Sequence, residues 1–553
     1  MVSPVTLRNS AYGSLQPATS CGGTELVYDS SHFWRFLLAH LIGTVVFSGI
    51  LIATITTVFR TWGERFKSGV MRFRSFREHI VFLGYNDMVA GMIVPLCSSN
   101  KRIVVGVPDK VHETYMLLRN SLSKGQRRNV VVMKADCCNE SDLKRLNVHK
   151  AKDVYIIGAQ DDAYSLNSYN KIQGLCGKHR PECYVQMQYQ STYALFQTYT
   201  KKEGMKHFHA FNFHNEWARM MLMREDKDDK IDSRNGVSIT KDSDKQVHLV
   251  IVGMTEMGEA LAREAAFLCH YPNFVKNGIR TKITFIDPNA KEQMTYLKGH
   301  YHHLLEAKFL GVEFEFLQAN IADKETQDLI STWANDEKQV LTIAACTDMP
   351  HRSMAAGLYL PDAVFERNIP VWVYQPTKGD MADYLGSSHF DNVTTFGMSG
   401  KDLDIKNEEG IRRAKRLNHF YWHLKDNESI DYSDTETIDR EWDCCNVFDK
   451  WSNVYNVSAI PAKLRSVGGT IKESDVEILA EVEHNRWNVE KLLMGFRPTT
   501  EEEHNQIVGL SKTTEEFKDN FIHDNIRPYS ELDDETKKID RRFTREIPNI
   551  IKK

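Results

Sequence analysis

Two stretches of the chain repeat the same order of short apolar strands and helical segments. The first stretch contains the runs His79–Asp87, Arg102–Val107, Asn129–Asp136, Asp153–Asp162 and Tyr184–Gln188. The second contains the runs Gln246–Phe267, Lys282–Pro288, Phe314–Asp323, Val340–Asp348 and Val371–Gln375. Strands that alternate with helices at this spacing are typical of a parallel sheet covered by helices on both faces. The repeat predicts an α/β chain with two doubly wound domains, over residues 78–215 and 245–400, each with five strands.

In such Rossmann-like sheets, ligands bind beyond the carboxyl ends of the strands. In the first domain these ends offer Gly84 and Asn86 after the first strand and Asp136 after the third. Gly84 is the only glycine that remains of a G-x-G-x-x-G phosphate loop, in which the second glycine lets the backbone approach a pyrophosphate. We therefore expect a structural role or an altered ligand here rather than an intact dinucleotide site.

The second domain keeps more of the nucleotide pattern. Gly253 and Gly258 occupy the first and third glycine positions, and Thr255 replaces the second. Asp287 ends the second strand, where an acid bonds ribose hydroxyls, and Asn320 follows the third strand. A threonine crowds a pyrophosphate but could admit a mononucleotide, so NAD(P) and ATP both stay candidates. The alternative is a scaffold in which the glycines only permit close packing of helix on strand.

No catalytic unit accompanies either domain. Hydride transfer requires a substrate domain with a positioned acid or base. His351 and Arg352 follow the fourth strand of the second domain, but an isolated His–Arg pair in a loop is more typical of a surface or anion-binding feature. The sequence therefore predicts a protein that is not an enzyme.

A long apolar run lies near the N-terminus. From Phe36 to Phe59 the only ionisable side chain is His40, and about 20 helical residues suffice to cross a bilayer. We predict one transmembrane helix, because a signal peptide has a shorter apolar region followed by a small-residue cleavage site. Many basic residues follow the run within segment 60–77, and few precede it. The basic side stays cytoplasmic, which predicts a single-pass protein of the inner membrane with segment 1–35 outside.

Two features beside this run concern membrane contacts. Small residues recur at four-residue spacing, at Ala39 and Gly43 and again at Gly49 and Ala53. Such spacing lets transmembrane helices approach closely, so it predicts a homo-oligomer, with a plain anchor as the alternative. Basic and aromatic residues alternate over Thr61–Phe76, as in a helix that lies at the membrane interface.

The first domain resembles a known family through the order strand, Gly84-Tyr-Asn-Asp87, helix, and through the stretch from Val131 to Asp162. These residues resemble the N-domain of Trk-type potassium-uptake regulators, also called the RCK domain. That family commonly has a Gly-Asp pair where Ala135 and Asp136 stand here. The resemblance implies nucleotide or ion contacts at Asp136 and a regulatory role.

The C-terminal region, residues 441–553, carries a second resemblance, after a charged and acidic connector over 401–440. Its marks are Glu483-His484, Trp487, Lys491, Gly495-Phe496, Arg527-Pro528-Tyr529, Glu531-Leu532, Lys537-Lys538 and Asp540-Arg541. This set resembles the RyR domain, the repeat module of ryanodine receptors, which implies a mainly helical, ligand-sensing domain.

In that region we expect ligand contacts from His484, Trp487, Lys491, Arg527 and Tyr529. On a helix, the first three lie on one face. An aromatic ring beside a cation on that face could stack a base and hold a phosphate. The alternative is that Trp487 belongs to the core and His484 is its hydrogen-bonded neighbour.

The composition limits the remaining classes. Apolar residues make up 42% and charged residues 26% of the chain, which is ordinary for packed domains. The net charge of −4 argues against direct binding of duplex nucleic acid. The cysteines, which include the adjacent pairs Cys137–Cys138 and Cys444–Cys445, lack metal-ligand spacing, so no metal site is predicted.

Together these features predict a membrane-anchored sensor that binds a nucleotide-type ligand, oligomerises and drives a transmembrane response. Ion conduction or membrane disruption in bacterial antiviral defence is the output suggested by analogy. One alternative is a membrane-tethered NAD(P)-dependent oxidoreductase that uses Gly253, Thr255, Gly258 and Asp287. Another is a regulatory subunit of a separate potassium channel or transporter.

Overall fold

The computed structural model describes residues 33–71, 75–98, 101–157, 161–188, 207–224, 230–376, 390–397, 405–424, 430–509 and 513–552. Residues 1–32 of the segment that we predicted to lie outside the membrane are not among the described residues. The same holds for Arg72 and Arg74 of the basic segment.

Helix α1 (Phe33–Lys67) contains the apolar run. Its stretch Leu37–Arg65 is long and apolar enough to cross a membrane, and none of its most apolar window is buried by the rest of the protein. At 1.5 Å per residue the helix is about 52 Å long. It runs without a break through the first half of the segment that we predicted to lie at the interface, and it ends at Lys67. The small residues 39, 43, 49 and 53 lie within an arc of about 120° on this helix.

Helix α1 is joined to the first domain without a long linker. The carbonyl of Gly69 accepts a hydrogen bond from the Lys134 amide at 3.0 Å. Gly69 has φ +69°, and a Cβ there would lie 2.5 Å from that amide nitrogen. Farther along, the Arg102 guanidinium lies 5.1 Å from the centroid of the Phe76 ring. The end of helix α1 is therefore held directly against the first sheet.

The first sheet has six parallel strands in the order β3-β2-β1-β4-β5-β6. They are β1 (Ile80–Leu83), β2 (Ile103–Val107), β3 (Val130–Lys134), β4 (Asp153–Ile156), β5 (Glu182–Gln186) and β6 (Phe208–Phe211). Its helices are α2 (Asp87–Ser98), α3 (Val111–Ser121), α4 (Glu140–Arg145) and α5 (Asp162–Leu175). Alternate side chains of β1 enter separate cores on the two faces of the sheet, as expected for a sheet covered on both sides.

Helix α6 (Phe213–Leu222) connects the two sheets. It follows β6 directly, yet Trp217, Ala218 and Met221 are buried in the core of the second domain. The hairpin β7 (Ser233–Arg234) and β8 (Val237–Ser238) then leads into the second sheet.

The second sheet repeats the first, with the order β11-β10-β9-β12-β13-β14, all parallel. Its strands are β9 (Gln246–Val252), β10 (Thr281–Asp287), β11 (Val312–Gln318), β12 (Gln339–Ala345), β13 (Val371–Tyr374) and β14 (Val393–Phe396). Its helices are α7 (Glu256–Leu268), α8 (Pro272–Asn277), α9 (Ala290–His300), α10 (His302–Glu306), α11 (Lys324–Asn335), α12 (Pro350–Leu358) and α13 (Asp362–Glu366).

Both sheets therefore have the strand order of Rossmann folds. The predicted α/β class, with two doubly wound parallel sheets, an N-terminal apolar helix and a helical C-terminal part, is confirmed. The prediction of five strands for each sheet was one strand short. The sixth strands, β6 (FHAF) and β14 (VTTF), carry polar residues in their middle, so they lack the continuous apolar run by which equally short buried strands such as β1 (IVFL) are recognised.

The C-terminal part is helical, with one short parallel strand pair. It contains α14 (Glu408–Trp422), α15 (Thr435–Cys444), α16 (Val447–Ser466), α17 (Val476–Leu493), β15 (Arg497–Pro498), α18 (Glu501–Val508), α19 (Thr514–Lys518), β16 (Ile522–His523) and α20 (Asp534–Ile551). Helices α14, α15, α16 and α20 share a core around Leu417, Phe420 and Phe543. The predicted connector thus supplies α14 and part of α15 to this core.

Candidate functional site

At the carboxyl edge of the first sheet, Gly84 is required by packing. It has φ +101°, and a Cβ there would lie 2.2 Å from the carbonyl oxygen of Ile157. Only glycine allows β1 and β4 to come this close at their ends. The glycine is thus explained without a ligand.

Asn86 and Asp136 lie at the same edge, and their side chains are engaged locally. The Asn86 Oδ1 accepts the Val89 amide at 3.0 Å, at the start of α2. The Asp136 Oδ1 accepts the Cys138 amide and the Tyr164 hydroxyl, both at 2.8 Å. Each side chain therefore stabilises its own turn, although Asp136 remains exposed.

At the second sheet the two glycines are again close-packed. A Cβ on Gly253, which has φ +100°, would lie 2.7 Å from the carbonyl oxygen of Cys346. A Cβ on Gly258 would lie 2.2 Å from the carbonyl oxygen of Gly253. In a phosphate loop, the third glycine lets the helix pack closely against the strand. Gly258 has this role here, so packing alone accounts for the glycine pattern.

The polar residues of this loop are bonded to one another's backbone. The Thr255 hydroxyl donates to the Cys346 carbonyl at 2.6 Å and accepts the Gly258 amide at 3.3 Å. The Asp287 carboxylate accepts the amides of Met254 at 2.9 Å and Asn289 at 2.7 Å. The Asp287 carboxylate therefore already accepts the amide hydrogen of Met254 in the glycine loop.

Charge at this loop disfavours a phosphate. Helix α7 begins at Glu256, which accepts a hydrogen bond from Gln188 at 3.2 Å. With Asp287, two carboxylates lie near the positive end of the helix, where a phosphate would otherwise bind. Asn320 is exposed, and its Oδ1 accepts the Ala322 amide at 3.0 Å in a local turn. The predicted residues of the second sheet come together, but most of their polar groups are already bonded.

The C-terminal part contains a large cavity of about 630 Å³. Helices α14, α16, α17 and α20 form its walls, together with the α15–α16 junction and β16. Its volume lies within the usual range of small-molecule sites, about 300–1,000 Å³. The cavity is lined by Asn418, Tyr421, Trp422, Cys444, Cys445, Asn446, Asp449, Ser452, Asn453, Asn456, Glu483, His484, Arg486, Trp487, Lys491, Lys518, His523, Asn525, Thr536, Ile539 and Asp540.

Three of the predicted sensing residues line this cavity from α17. The rings of His484 and Trp487 are stacked, with centroids 5.7 Å apart. The Lys491 ammonium lies 4.9 Å from the Phe448 ring centroid and 5.7 Å from that of Trp487. It also lies 3.3 Å from Glu490, a carboxylate that it shares with Arg486.

His484 is neutral at physiological pH. Burial lowers its pKa to about 4, although the hydrogen bond to the Arg527 carbonyl opposes the shift. That bond, at 2.9 Å, requires the proton on Nε2. Nδ1 then accepts, and it faces Asp540 Oδ2 at 3.7 Å. Burial and the Glu483 carboxylate raise the pKa of Asp540 well above its usual range, so Asp540 can present a proton to the cavity.

Arg527 and Tyr529 do not line the cavity. The Arg527 guanidinium donates to Asp524 at 2.5 Å, and its carbonyl oxygen fixes His484. Tyr529 is buried behind His484, with ring centroids 5.8 Å apart, and its hydroxyl donates to Glu477 at 3.2 Å. These two residues orient His484 from behind, outside any contact with a ligand in the cavity.

A buried ionic network beneath the cavity was missed from the sequence. Arg486 bonds Glu483 at 2.8 Å and Glu490 at 2.6 Å, and Lys463 bonds Glu483 at 2.6 Å. Burial raises the pKa of Glu483, but Arg486 and Lys463 outweigh it and lower that pKa below its usual value. The spacing of Glu483, Arg486 and Glu490 places them on one helical face. This spacing is the sequence signal from which the ionic network could have been predicted.

Two buried amides of the cavity wall have polar atoms to spare. Asn456 donates to Glu483 at 2.8 Å, but its Oδ1 has no hydrogen-bond partner among the described residues. The same holds for Nδ2 of Asn418. Buried polar atoms are rarely left unbonded in native proteins. Both atoms lie within the cavity wall with almost no exposed surface, so a bound molecule would reach them only after a local movement of the wall.

Helix α16 connects this cavity to both sheets. Asn453 and Asn456 face the cavity, while Tyr455 donates to Glu264 of α7 at 2.5 Å. Arg219 of α6 bonds Glu264 and the Tyr455 oxygen, both at 3.3 Å. At the start of α16, Val447 is buried in the core of the first domain.

Comparison with known proteins gives similarity in structure only. No family model and no curated protein matches the chain. The structure of GsuK bound to ADP is 14% identical, covering 69% of this chain and 84% of that one, with a TM-score of 0.42. The GsuK channel bound to NAD is 12% identical, covering 75% and 77%, with a TM-score of 0.43. The human SLO3 gating ring is 10% identical, covering 57% and 80%, with a TM-score of 0.36. All three TM-scores lie below 0.5.

Proposed function

We propose that this protein is a membrane-anchored ligand sensor, and that the C-terminal cavity is its ligand site. The observation that carries the proposal is the position of α16. One face of this helix lines the cavity, and the other bonds the second Rossmann-like domain through Tyr455. A ligand that contacts α16 therefore contacts a helix that itself packs against both Rossmann-like domains.

A nucleotide-type ligand suits the chemistry of the cavity. Trp487 is half-buried at the wall and offers a ring for stacking a base, which is worth about 1–3 kcal/mol per base. Lys491 and Lys518 line the cavity as cations, although each also pairs with a carboxylate, Glu490 and Glu515. A small movement of the wall would let the unbonded atoms of Asn418 and Asn456 bond a base edge or a sugar hydroxyl. The carboxylates of the network below are neutralised by Arg486 and Lys463. The identity of the nucleotide, with NAD(P) and ATP included, stays open.

Transmission to the membrane follows packed contacts. A shift of α16 reaches α6 and α7 through Tyr455, Glu264 and Arg219. The first sheet in turn holds the end of α1 through the Gly69–Lys134 hydrogen bond. The ligand must bind one state of this assembly better than the other for a response to follow.

The proposed response involves several copies of the chain. One helix cannot enclose a pore, so conduction or membrane disruption requires α1 helices to associate through Ala39, Gly43, Gly49 and Ala53. The bulk of the chain is proposed to face the cytoplasm. An antiviral role stays a prediction from the sequence, since no described residue bears on it.

The first test is the thermal stability of the detergent-solubilised protein with NAD(H), NADP(H), ATP, AMP and cyclic oligonucleotides. A ligand at about 100 times its dissociation constant stabilises the folded state by about 2.7 kcal/mol. We expect one nucleotide to raise the melting temperature, and Trp487→Leu and Lys518→Met to abolish the rise. Lys538→Met is the matched control, because Lys538 is an exposed lysine of α20. A rise that survives both cavity variants would place the ligand elsewhere.

Transmission is tested separately with Tyr455→Phe, which removes only the hydroxyl that bonds Glu264. The variant should bind the ligand as the wild type does but lose the ligand-dependent ion flux in reconstituted liposomes. Co-purification of a multi-span protein that itself carries the flux would instead favour a regulatory subunit of a separate channel.

A further inference from the structure

His419, His423 and Glu441 form a compact cluster beside the cavity. The Glu441 Oε2 lies 2.6 Å from His419 Nδ1, and its Oε1 lies 3.1 Å from His423 Nε2. One nitrogen or oxygen atom from each of the three side chains lies within 4.8 Å of the others. The cluster therefore gathers two imidazoles and one carboxylate at a single point.

The scaffold fixes these side chains from two helices. His419 lies in the last turn of α14, and His423 directly follows the helix with its amide donating to the His419 carbonyl at 3.2 Å. The spacing of four residues therefore places both on one face, and their ring centroids are 4.4 Å apart. Glu441 lies on α15, which Lys415 of α14 holds through a 2.6 Å ion pair with Asp439. The two helices thus present the three groups in a defined geometry.

Burial in the cluster is uneven, as in a site that an ion can enter. The side chains of His419 and Glu441 are 5% and 10% exposed, whereas His423 is 36% exposed. The buried pair excludes competing water. The half-exposed histidine leaves a path for an ion and room for a water ligand.

The donor set selects the class of ion. Imidazole nitrogens suit zinc and neighbouring transition metals, whereas calcium and magnesium prefer oxygen ligands. With Zn–N and Zn–O distances of about 2.0–2.2 Å, tetrahedral ligands lie about 3.3–3.5 Å apart. The present separations of 2.6 and 3.1 Å reach that value by small side-chain movements.

A second cluster of two histidines and one glutamate has the same side chains in a different geometry. Glu182 of β5 is bonded by His207 and His209, both at 2.7 Å. Those histidines are two residues apart along one edge of the first sheet, about 6.6 Å in an extended strand. Among the described residues, this cluster does not bring one atom of each side chain within 4.8 Å of the others. The two clusters have the same side-chain types, but the helical spacing of His419 and His423 brings their imidazoles together, whereas the strand spacing of His207 and His209 does not.

We propose that His419, His423 and Glu441 bind a divalent transition-metal ion of the zinc class, with water completing the coordination. Binding displaces the imidazole protons that now face Glu441. It also cross-links α14 to α15 beside Asn418, Tyr421 and Cys444, which line the cavity. The metal site does not depend on what the cavity binds.

The test uses the full chain in detergent after treatment with a chelator. Co²⁺ is the probe, because its visible d–d bands report coordination and a sulfur charge-transfer band would reveal binding by cysteines instead. We expect wild-type protein to show tetrahedral or five-coordinate bands without the sulfur band, and Zn²⁺ to displace Co²⁺. His423→Ala should lower the affinity by at least about tenfold. Because His423 is half-exposed, this variant should melt like the wild type without metal.

His209→Ala is the matched control, since it removes one histidine of the Glu182 cluster. Its Co²⁺ affinity should equal that of the wild type within about twofold. A second readout is melting temperature, which Zn²⁺ should raise in the wild type and in His209→Ala but not in Glu441→Gln. Equal affinity of the wild type and His423→Ala, or a spectrum dominated by sulfur, would show that the cluster is only a hydrogen-bonded clamp.

Discussion

The glycine loop of the second sheet and the C-terminal cavity are two candidate ligand sites of opposite character. In the loop, Asp287 and Thr255 use their polar groups on the backbone beside them. In the cavity, Asn418 and Asn456 keep polar atoms without a described partner. The loop has the sequence pattern of a ligand site, whereas the cavity has its physical properties: volume, an aromatic wall and unspent hydrogen-bonding capacity.

This difference shows that glycine spacing alone does not identify a nucleotide site. Gly253 and Gly258 are each required because a Cβ would overlap a carbonyl oxygen. A Rossmann-like sheet thus needs these glycines whether or not it binds phosphate. Substituting one group at a time in the loop and in the cavity tests this difference.

The largest effect is expected from Glu483→Ala beneath the cavity. The change leaves Lys463 buried without its partner and Arg486 with Glu490 alone. Breaking a buried ion pair costs about 3–5 kcal/mol. Urea-dependent hydrogen exchange measured by mass spectrometry should show α17 opening at lower denaturant concentration.

The control for Glu483→Ala is Glu535→Ala, which removes an exposed partner of Lys538. Surface pairs contribute little, so this variant should exchange like the wild type. Equal behaviour of the two variants would mean that the network below the cavity does not stabilise it.

Gly258→Ala comes next, in the loop of the second sheet. The added Cβ would lie 2.2 Å from the Gly253 carbonyl oxygen, so α7 must move away from β9, at a cost of about 3 kcal/mol. Gly299→Ala is the control, because a Cβ there in α9 meets no atom within 4 Å. The control should be neutral or stabilising by about 1 kcal/mol. Thermal unfolding of the two variants measures the difference.

Much of the fold was predictable because each sheet repeats strong local patterns. Strands such as β1 (IVFL) are buried on both faces and read as continuous apolar runs. The sixth strands escaped notice because polar residues interrupt them, His209 in β6 and Thr394 and Thr395 in β14. The helix α1 was recognisable from composition alone.

The site was less predictable, because its residues come from distant segments. His484, Trp487 and Lys491 share one helix and were found together. Asn418 and Asn456 come from α14 and α16, and no spacing rule links them. The His419–His423–Glu441 cluster was missed since it lies where the sequence suggested a connector, and its carboxylate belongs to the next helix.

Asp287→Ala should have a smaller effect on stability, about 1–2 kcal/mol, since it removes hydrogen bonds to the amides of Met254 and Asn289. Asp287→Asn is the control and should lose less, because its amide oxygen still accepts one of them. Both variants should respond to nucleotides as the wild type does. A nucleotide-dependent rise in melting temperature that only Asp287→Ala abolishes would move the ligand site to the second sheet and favour the oxidoreductase.

The smallest effect at neutral pH is expected from His484→Gln in the cavity. Burial lowers the pKa of His484 to about 4, below the usual value of about 6.5 for an unfolded chain. Between these values the unfolded chain holds a proton that the folded protein does not, so stability falls as the pH is lowered from about 6.5 to 4. The glutamine variant can still donate to the Arg527 carbonyl but does not titrate. Its unfolding free energy should therefore depend on pH with about one proton fewer across this window. An unchanged slope would mean that His484 has about the same pKa in the folded protein as in the unfolded chain, about 6.5. The cavity would then present a positive charge beside Trp487 only below about pH 6.5.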